Sequence, residues 1–127
     1  MIRCACLLET RGEQIMLVRV RDNQLWYLPG GTIEADETAE QALLREIDEE
    51  LGVAIDRDTV TFDRRVVGPA LGRDGAVELN CYKARWIGDV RPRAEISEVA
   101  FIDYRQTEKM APAIKLLVDE LQQGQQS

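Results

Sequence analysis

The spacing of apolar side chains changes period along the chain, and the changes mark its elements. Residues 3–9 and 14–20 are rich in strand-forming apolar residues, and Arg11-Gly12-Glu13 between them predicts the turn of a hairpin. A short apolar run, Leu25-Trp26-Tyr27, enters the tight turn Leu28-Pro29-Gly30-Gly31. Thr59 to Gly68 reads as a strand and Pro69 to Gly75 as a loop. From Ala76 to Ile87, Val77, Leu79 and Cys81 alternate with Glu78, Asn80 and Tyr82, the period of a long strand. Glu98 to Ile102 predicts a further short strand. Two stretches carry helical spacing instead. Leu43, Leu44, Ile47 and Leu51 form one apolar stripe, and Met110, Ile114, Leu117, Val118 and Leu121 form another over Glu108 to Gln123. Gln122 to Ser127 is expected to fray.

The first helix carries the chemistry. An α-helix advances about 100° per residue, so positions i, i+3 and i+4 share a face. Glu46, Glu49 and Glu50 are such a set, beside the apolar stripe, with Ala39 and Ala42 on the same face one turn earlier leaving the approach open. Gln41, Arg45 and Asp48 take the remaining side. Three carboxylates this close repel one another and raise one another's pKa. Helix propensity gives no reason to crowd them. A hard divalent cation does, because it prefers oxygen ligands and shares them with substrate phosphates. Asp36 is the expected N-cap, with Glu37 and Glu40 near the positive end of the helix dipole. Gly52 is the expected C-terminal stop.

From Gly31 to Val53 the chain reads G-x5-E-x7-R-E-U-x-E-E-x-G-U, where U is bulky and aliphatic. The fixed letters are Gly31, Glu37, Arg45, Glu46, Glu49, Glu50 and Gly52. Every position of the Nudix box is filled, and the chain resembles the Nudix hydrolases, which split pyrophosphate linkages with divalent metal. The resemblance implies an α/β fold, a mixed sheet sandwiched between helices in a single domain spanning residues 1–127. It implies Mg2+, for which Mn2+ can substitute. Glu46, Glu49 and Glu50 would be its ligands, joined by the backbone carbonyl of Gly30 and by a later glutamate. Glu98 is the first choice for that glutamate and Glu95 the second. Glu46, Glu49 or Glu98 would activate the water, and Arg45, aided by Glu37, would hold the acids through a salt bridge.

Composition narrows the setting. At 127 residues the chain is long enough for one domain with a real core. No apolar run approaches the ~20 residues of a membrane span, and the N-terminus is too soon interrupted by Glu9 to be a secretory signal. Cys4, Cys6 and Cys81 are an odd number, which disfavours a disulfide framework and suits small apolar side chains in a reduced cytoplasmic core. There is no histidine, which removes His-based acid–base catalysis and most zinc sites. It also removes the isomerase branch of the superfamily, which by resemblance uses histidine ligands. A net charge of −7 disfavours nucleic acid as the main substrate and leaves a small nucleotide, acted on by a monomer or homodimer.

Outside the box the signals are weaker. Arg19 and Arg21 sit where the family often grips phosphate, and a surface role is the alternative for each. Gly31 lets backbone approach the substrate. Trp26 either stacks on a base or fills the core. Arg73, in the glycine-rich loop, either swings over substrate or stays solvated. The reaction implied is NDP–X plus water to NMP plus P–X, most readily with a nucleoside triphosphate such as an oxidised dNTP. ADP-ribose or a nucleotide sugar is the alternative, because Pro69 lies where ADP-ribose-cleaving relatives tend to carry a proline. A non-catalytic nucleotide-sensing domain is the remaining reading, though the box has lost none of its acids.

Overall fold

Strand β1 (Ile2–Leu7) feeds two cores at once, because successive side chains leave a strand on opposite faces. Ala5 and Leu7 enter one hydrophobic cluster, while Cys6, followed by Leu8, enters the other. In the computed structural model, which describes residues 1–70 and 74–125, the same division runs through β3 (Gln14–Val20). Met16 and Val18 join the first cluster, and Ile15 and Leu17 the second. Each cluster is closed by its own helix. Ala42, Leu43, Ile47 and Leu51 of α1 (Ala39–Leu51) cover the first; Ala113, Ile114, Leu117 and Val118 of α2 (Pro112–Gln125) cover the second. The result is the mixed α/β sandwich that the resemblance implies.

The remaining strands are β2 (Thr10–Arg11), β4 (Trp26–Tyr27), β5 (Gly30–Thr32), β6 (Ala54–Ile55), β7 (Thr61–Pro69), β8 (Ala76–Lys83), β9 (Trp86–Ile87) and β10 (Ile96–Asp103). A mixed sheet has the order β5-β1-β8-β7, with β1 and β8 parallel. An antiparallel sheet has the order β10-β3-β2, with β4 also on β3. No helix among the described residues is long and apolar enough to cross a membrane.

Several boundaries differ from the sequence reading. The hairpin at Gly12 joins only Thr10–Arg11 to Gln14–Ile15, because β1 spends its edges on β5 and β8 instead. The long strand over 76–87 breaks after Lys83. The main chain of Arg85 turns to Asp56 and Thr59, and β9 pairs with β6. The last strand is longer than read, spanning Ile96–Asp103. The second helix starts at Pro112, not Glu108, which lies in a separate 3-10 turn over Thr107–Lys109. Proline disfavours helical backbone in the residue before it and suits the first helical position itself. Gln122–Gln125 continue that helix, and Gln126 and Ser127 lie outside the described residues. Gly68 lets α2 lie close on β7: an added Cβ would stand 3.1 Å from Ala113 Cα.

Glu78 staples three strands on the face of the mixed sheet that α1 shares. Its carboxylate accepts from Arg3 Nε on β1 (2.8 Å), Arg65 Nε on β7 (2.6 Å) and Asn80 Nδ2 on β8 (3.0 Å). The Asn80 amide, then Arg3 and Arg65, hold the carboxyl down at about 2, against an ordinary value of 4.5. An acid depressed in the folded state stabilises it above the unfolded pKa, and that stability is lost as pH falls toward the folded one. Between pH 4.5 and 2 the melting temperature of Glu78→Gln should therefore fall less steeply than that of the unaltered protein. Parallel curves would remove Glu78 from the acid sensitivity of the fold.

Candidate active site

Helix α1 is anchored by a reciprocal cap. Gln41 N–H donates to Thr38 Oγ1 (3.1 Å), and Thr38 N–H donates to Gln41 Oε1 (2.9 Å). The N-cap is thus Thr38, not Asp36, because Thr-x-x-Gln satisfies two helix-end groups where Asp36 lies outside their reach. Gly52 closes the other end at φ 67°, its N–H donating to Asp48 O. Beyond it, Arg91 N–H and Arg93 N–H donate to the carbonyls of Leu51 and Glu50. That ties the segment leading into β10 to the end of the carboxylate helix.

Arg45 organises the acids. Its Nε and Nη2 donate to the two oxygens of Glu37 at 2.7 and 2.9 Å, a fork on a fork. Its Nη1 donates to Glu46 Oε1 at 2.8 Å and lies 3.6 Å from Glu49 Oε2. Arg45 and then the Glu34 N–H bring the Glu37 carboxyl down to about 2, and Glu37 in turn pushes the Arg45 guanidinium up. Glu37 therefore serves the arginine more than the helix dipole. Glu50 is different. It accepts Gly30 N–H at 2.9 Å, and burial first, then Glu46, Glu49 and Glu95, push its carboxyl up to about 8. Desolvation outweighs the crowding that the sequence suggested. Ala42 is fully buried in the α1-side core, so that part of the acidic face is a packing surface and not an approach.

The two glycines are pressed between β1 and α1. An added Cβ on Gly30, whose φ is 137°, would stand 2.2 Å from Ala5 O; on Gly31 it would stand 2.5 Å from Glu46 Cδ. At Gly30 the obstacle is main chain and only glycine fits; at Gly31 the backbone lies directly on the Glu46 carboxylate.

The other candidates lie on other elements. Glu98 faces Arg19 across the β10–β3 pair and forms an ion pair with it. Glu95 is the acid of that segment whose field reaches Glu50. The Arg21 main-chain N–H donates to Glu95 O, and its exposed side chain makes no ion pair among the described residues. Trp26 is packed in the α2-side core, and Arg73 lies outside the described residues.

A cleft of about 340 Å³, within the usual range of small-molecule sites, runs between the sheets. Gly30, Gly31 and Glu50 line it from the carboxylate helix and its glycine turn, and Ala111 and Ile114 from the start of α2. Its walls include Cys4 and Cys6, Pro69, and two residues that the sequence reading passed over, Asn23 and Tyr27. Strand period was the available signal: with Trp26 turned into the core, Tyr27 must face the other way.

Among the described residues no three acidic or thiol side chains are gathered closely enough to hold an ion as they stand. Glu46 is turned to Arg45 and Glu50 to Gly30 N–H. The donor chemistry nonetheless fits a hard divalent cation: three carboxylates on one helix face, one of them half-desolvated and relieved by positive charge. The thiols do not compete. Burial pushes Cys4 and Cys6 upward and Cys81 to about 12, and all three are unpaired.

The chain matches the NUDIX domain family over residues 2–121. It is 42% identical over 48 residues to a MutT-like protein from Streptomyces ambofaciens, covering 38% of this chain and 31% of that protein. It is 50% identical over 42 residues to the 8-oxo-dGTP diphosphatase of Proteus vulgaris, covering 30% and 38% respectively. The alignments span about a third of the length of these two curated relatives. A MutT protein from Methanosarcina mazei Go1 has the same fold, with a TM-score of 0.79 at 18% identity over 99% of this chain and 96% of that one.

Proposed function

The chain belongs to the NUDIX domain family, and from that premise we propose that it hydrolyses the pyrophosphate bond of a small nucleotide, NDP–X to NMP plus P–X. The observation that carries the proposal is the half-buried Glu50 in the cleft wall with Gly30 and Gly31, beside Glu46 and Glu49 on one helix face. Glu46, Glu49 and Glu50, with the Gly30 carbonyl and Glu98, would hold Mg2+, or Mn2+ in its place. Such an ion offsets phosphate charge and makes a bound water more acidic.

The chain's own groups divide the remaining work. Arg45 holds Glu46 and Glu49 in place through its fork on Glu37. Gly31 keeps the main chain thin where the phosphates pass. Arg19 and Arg21 grip phosphate oxygens. Glu46, Glu49 or Glu98 takes the proton of the attacking water. If it is Glu98, Arg19 must first turn from it, which phosphate would induce by competing for the guanidinium.

For X we favour the triphosphate class, an oxidised dNTP in particular, supported by the relative named 8-oxo-dGTP diphosphatase. The second reading, ADP-ribose or a nucleotide sugar, is favoured by Pro69 in the cleft wall. The unpaired thiols suit the cytoplasm.

The test is a panel of nucleoside triphosphates, 8-oxo-dGTP, ADP-ribose and dinucleoside polyphosphates at fixed Mg2+ in 18O-water, with products identified. A monophosphate and its partner in equal amounts, with label in one product only, is expected. Stepwise release of orthophosphate overturns the reaction, and binding without turnover indicates a sensing domain.

A further inference from the structure

The cleft contains one hydrogen-bonded side-chain pair whose polarity can be worked out from its neighbours. Leu25 N–H donates to Asn23 Oδ1 at 3.1 Å, and a main-chain N–H can only donate. That fixes which end of the Asn23 amide is oxygen. The other end, Nδ2, stands 2.8 Å from the Tyr27 hydroxyl, and an amide nitrogen can also only donate. The Tyr27 oxygen is therefore the acceptor of this bond. Its own proton has no acceptor among the described residues. Both residues line the cleft, whose other walls are mainly apolar, so an acceptor supplied by a bound molecule is the natural partner for that proton.

We propose that Tyr27, oriented by Asn23, is a specificity-determining hydrogen-bond donor that selects nucleobases presenting a keto oxygen over those presenting an amino group. The proposal rests on the nucleotide reading above and adds the substrate feature that the cleft distinguishes. A keto oxygen completes the chain Leu25 N–H, Asn23, Tyr27, ligand, in which every donor meets an acceptor. An amino group brings a second donor to the Tyr27 proton and pairs with neither end of the contact, the kind of mismatch by which a hydrogen-bonding site discriminates. The Trp26 ring, a candidate for reading the base, is turned into the core and leaves this task to its neighbour.

Two matched pairs test the effect: UTP against CTP, and inosine triphosphate against ATP, each exchanging a keto oxygen beside a ring N–H for an amino group beside an unprotonated ring nitrogen. The unaltered protein should favour the keto member of each pair, about 10-fold or more in kcat/KM. Tyr27→Phe removes the donor and should bring both ratios close to one. Asn23→Asp still accepts from Leu25 N–H, but its second oxygen takes the phenol proton, so it should collapse the ratios as Tyr27→Phe does. General losses cancel within a pair, and melting curves establish that both variants fold. No preference in the unaltered protein, or a preference that survives Tyr27→Phe, overturns the proposal. Failure to hydrolyse any of the four overturns this inference; the nucleotide reading falls only if the whole panel, 8-oxo-dGTP and ADP-ribose included, is also left intact.

Discussion

Replacing Glu50 with glutamine should lower kcat at least ~100-fold and, in the same variant, raise the melting temperature of the metal-free protein. The two effects share one cause. Glutamine keeps an oxygen for Gly30 N–H, so the shape of the site survives, but the charge is gone. In the unaltered chain, burial followed by repulsion from Glu46, Glu49 and Glu95 moves this carboxyl from its ordinary 4.5 to about 8. The sign follows from linkage. The unfolded chain releases the proton near 4.5 while the folded chain keeps it to about 8, so stability falls as pH rises between those values and levels above them. Glu50→Gln lacks that loss. Its advantage in EDTA should grow from pH 4.5 to pH 8 and then stay constant. Divalent metal, which takes the proton's place, should narrow the gap by stabilising only the unaltered protein. An unchanged kcat in saturating Mg2+ would take Glu50 out of the catalytic account. A pH-independent difference in stability would show that its burial is not what the site spends stability on.

Gly30→Ala should be the more damaging change to the fold, costing about 3 kcal/mol or more in urea denaturation. The new methyl group would meet main chain, Ala5 O at 2.2 Å and Cys6 Cα at 2.7 Å, on the register partner strand in the centre of the mixed sheet. Neither atom can rotate away. A φ of 137° is also foreign to any side-chain-bearing residue. Gly31→Ala is the control, because the obstacle there is the end of the Glu46 side chain, which can swing aside. That variant should fold nearly as well and lose activity instead, through a displaced carboxylate. Equal stability of the two variants would refute the close-packing argument for the glycine pair.

These contrasts separate what is local from what is not. Glu46, Glu49 and Glu50 share a face because a helix has a fixed turn per residue, and no fold is needed to know it. The stop at Gly52 and the alternation of Val77, Leu79 and Cys81 against Glu78 and Asn80 are legible for the same reason: they depend on neighbours a few residues away. The Thr38 cap was legible too, since Thr-x-x-Gln is a local signature, and only the competing Asp36 hid it.

Sequence by itself therefore determined the acidic helix, its glycine-bearing approach and the mixed α/β order, all of which arise from backbone periodicity and steric rules acting over short distances. Tertiary structure alone decided which acid is desolvated, since Glu50 is half-buried and takes the N–H of a glycine turn 20 positions before it. It alone paired Glu98 with Arg19 across 79 positions, and it sent Trp26 into the core and Tyr27 into the cleft. Those outcomes depend on which strand lies beside which and on what each side chain then meets. Chain entropy makes such long-range pairings the product of the whole packing, so no short window of residues contains them.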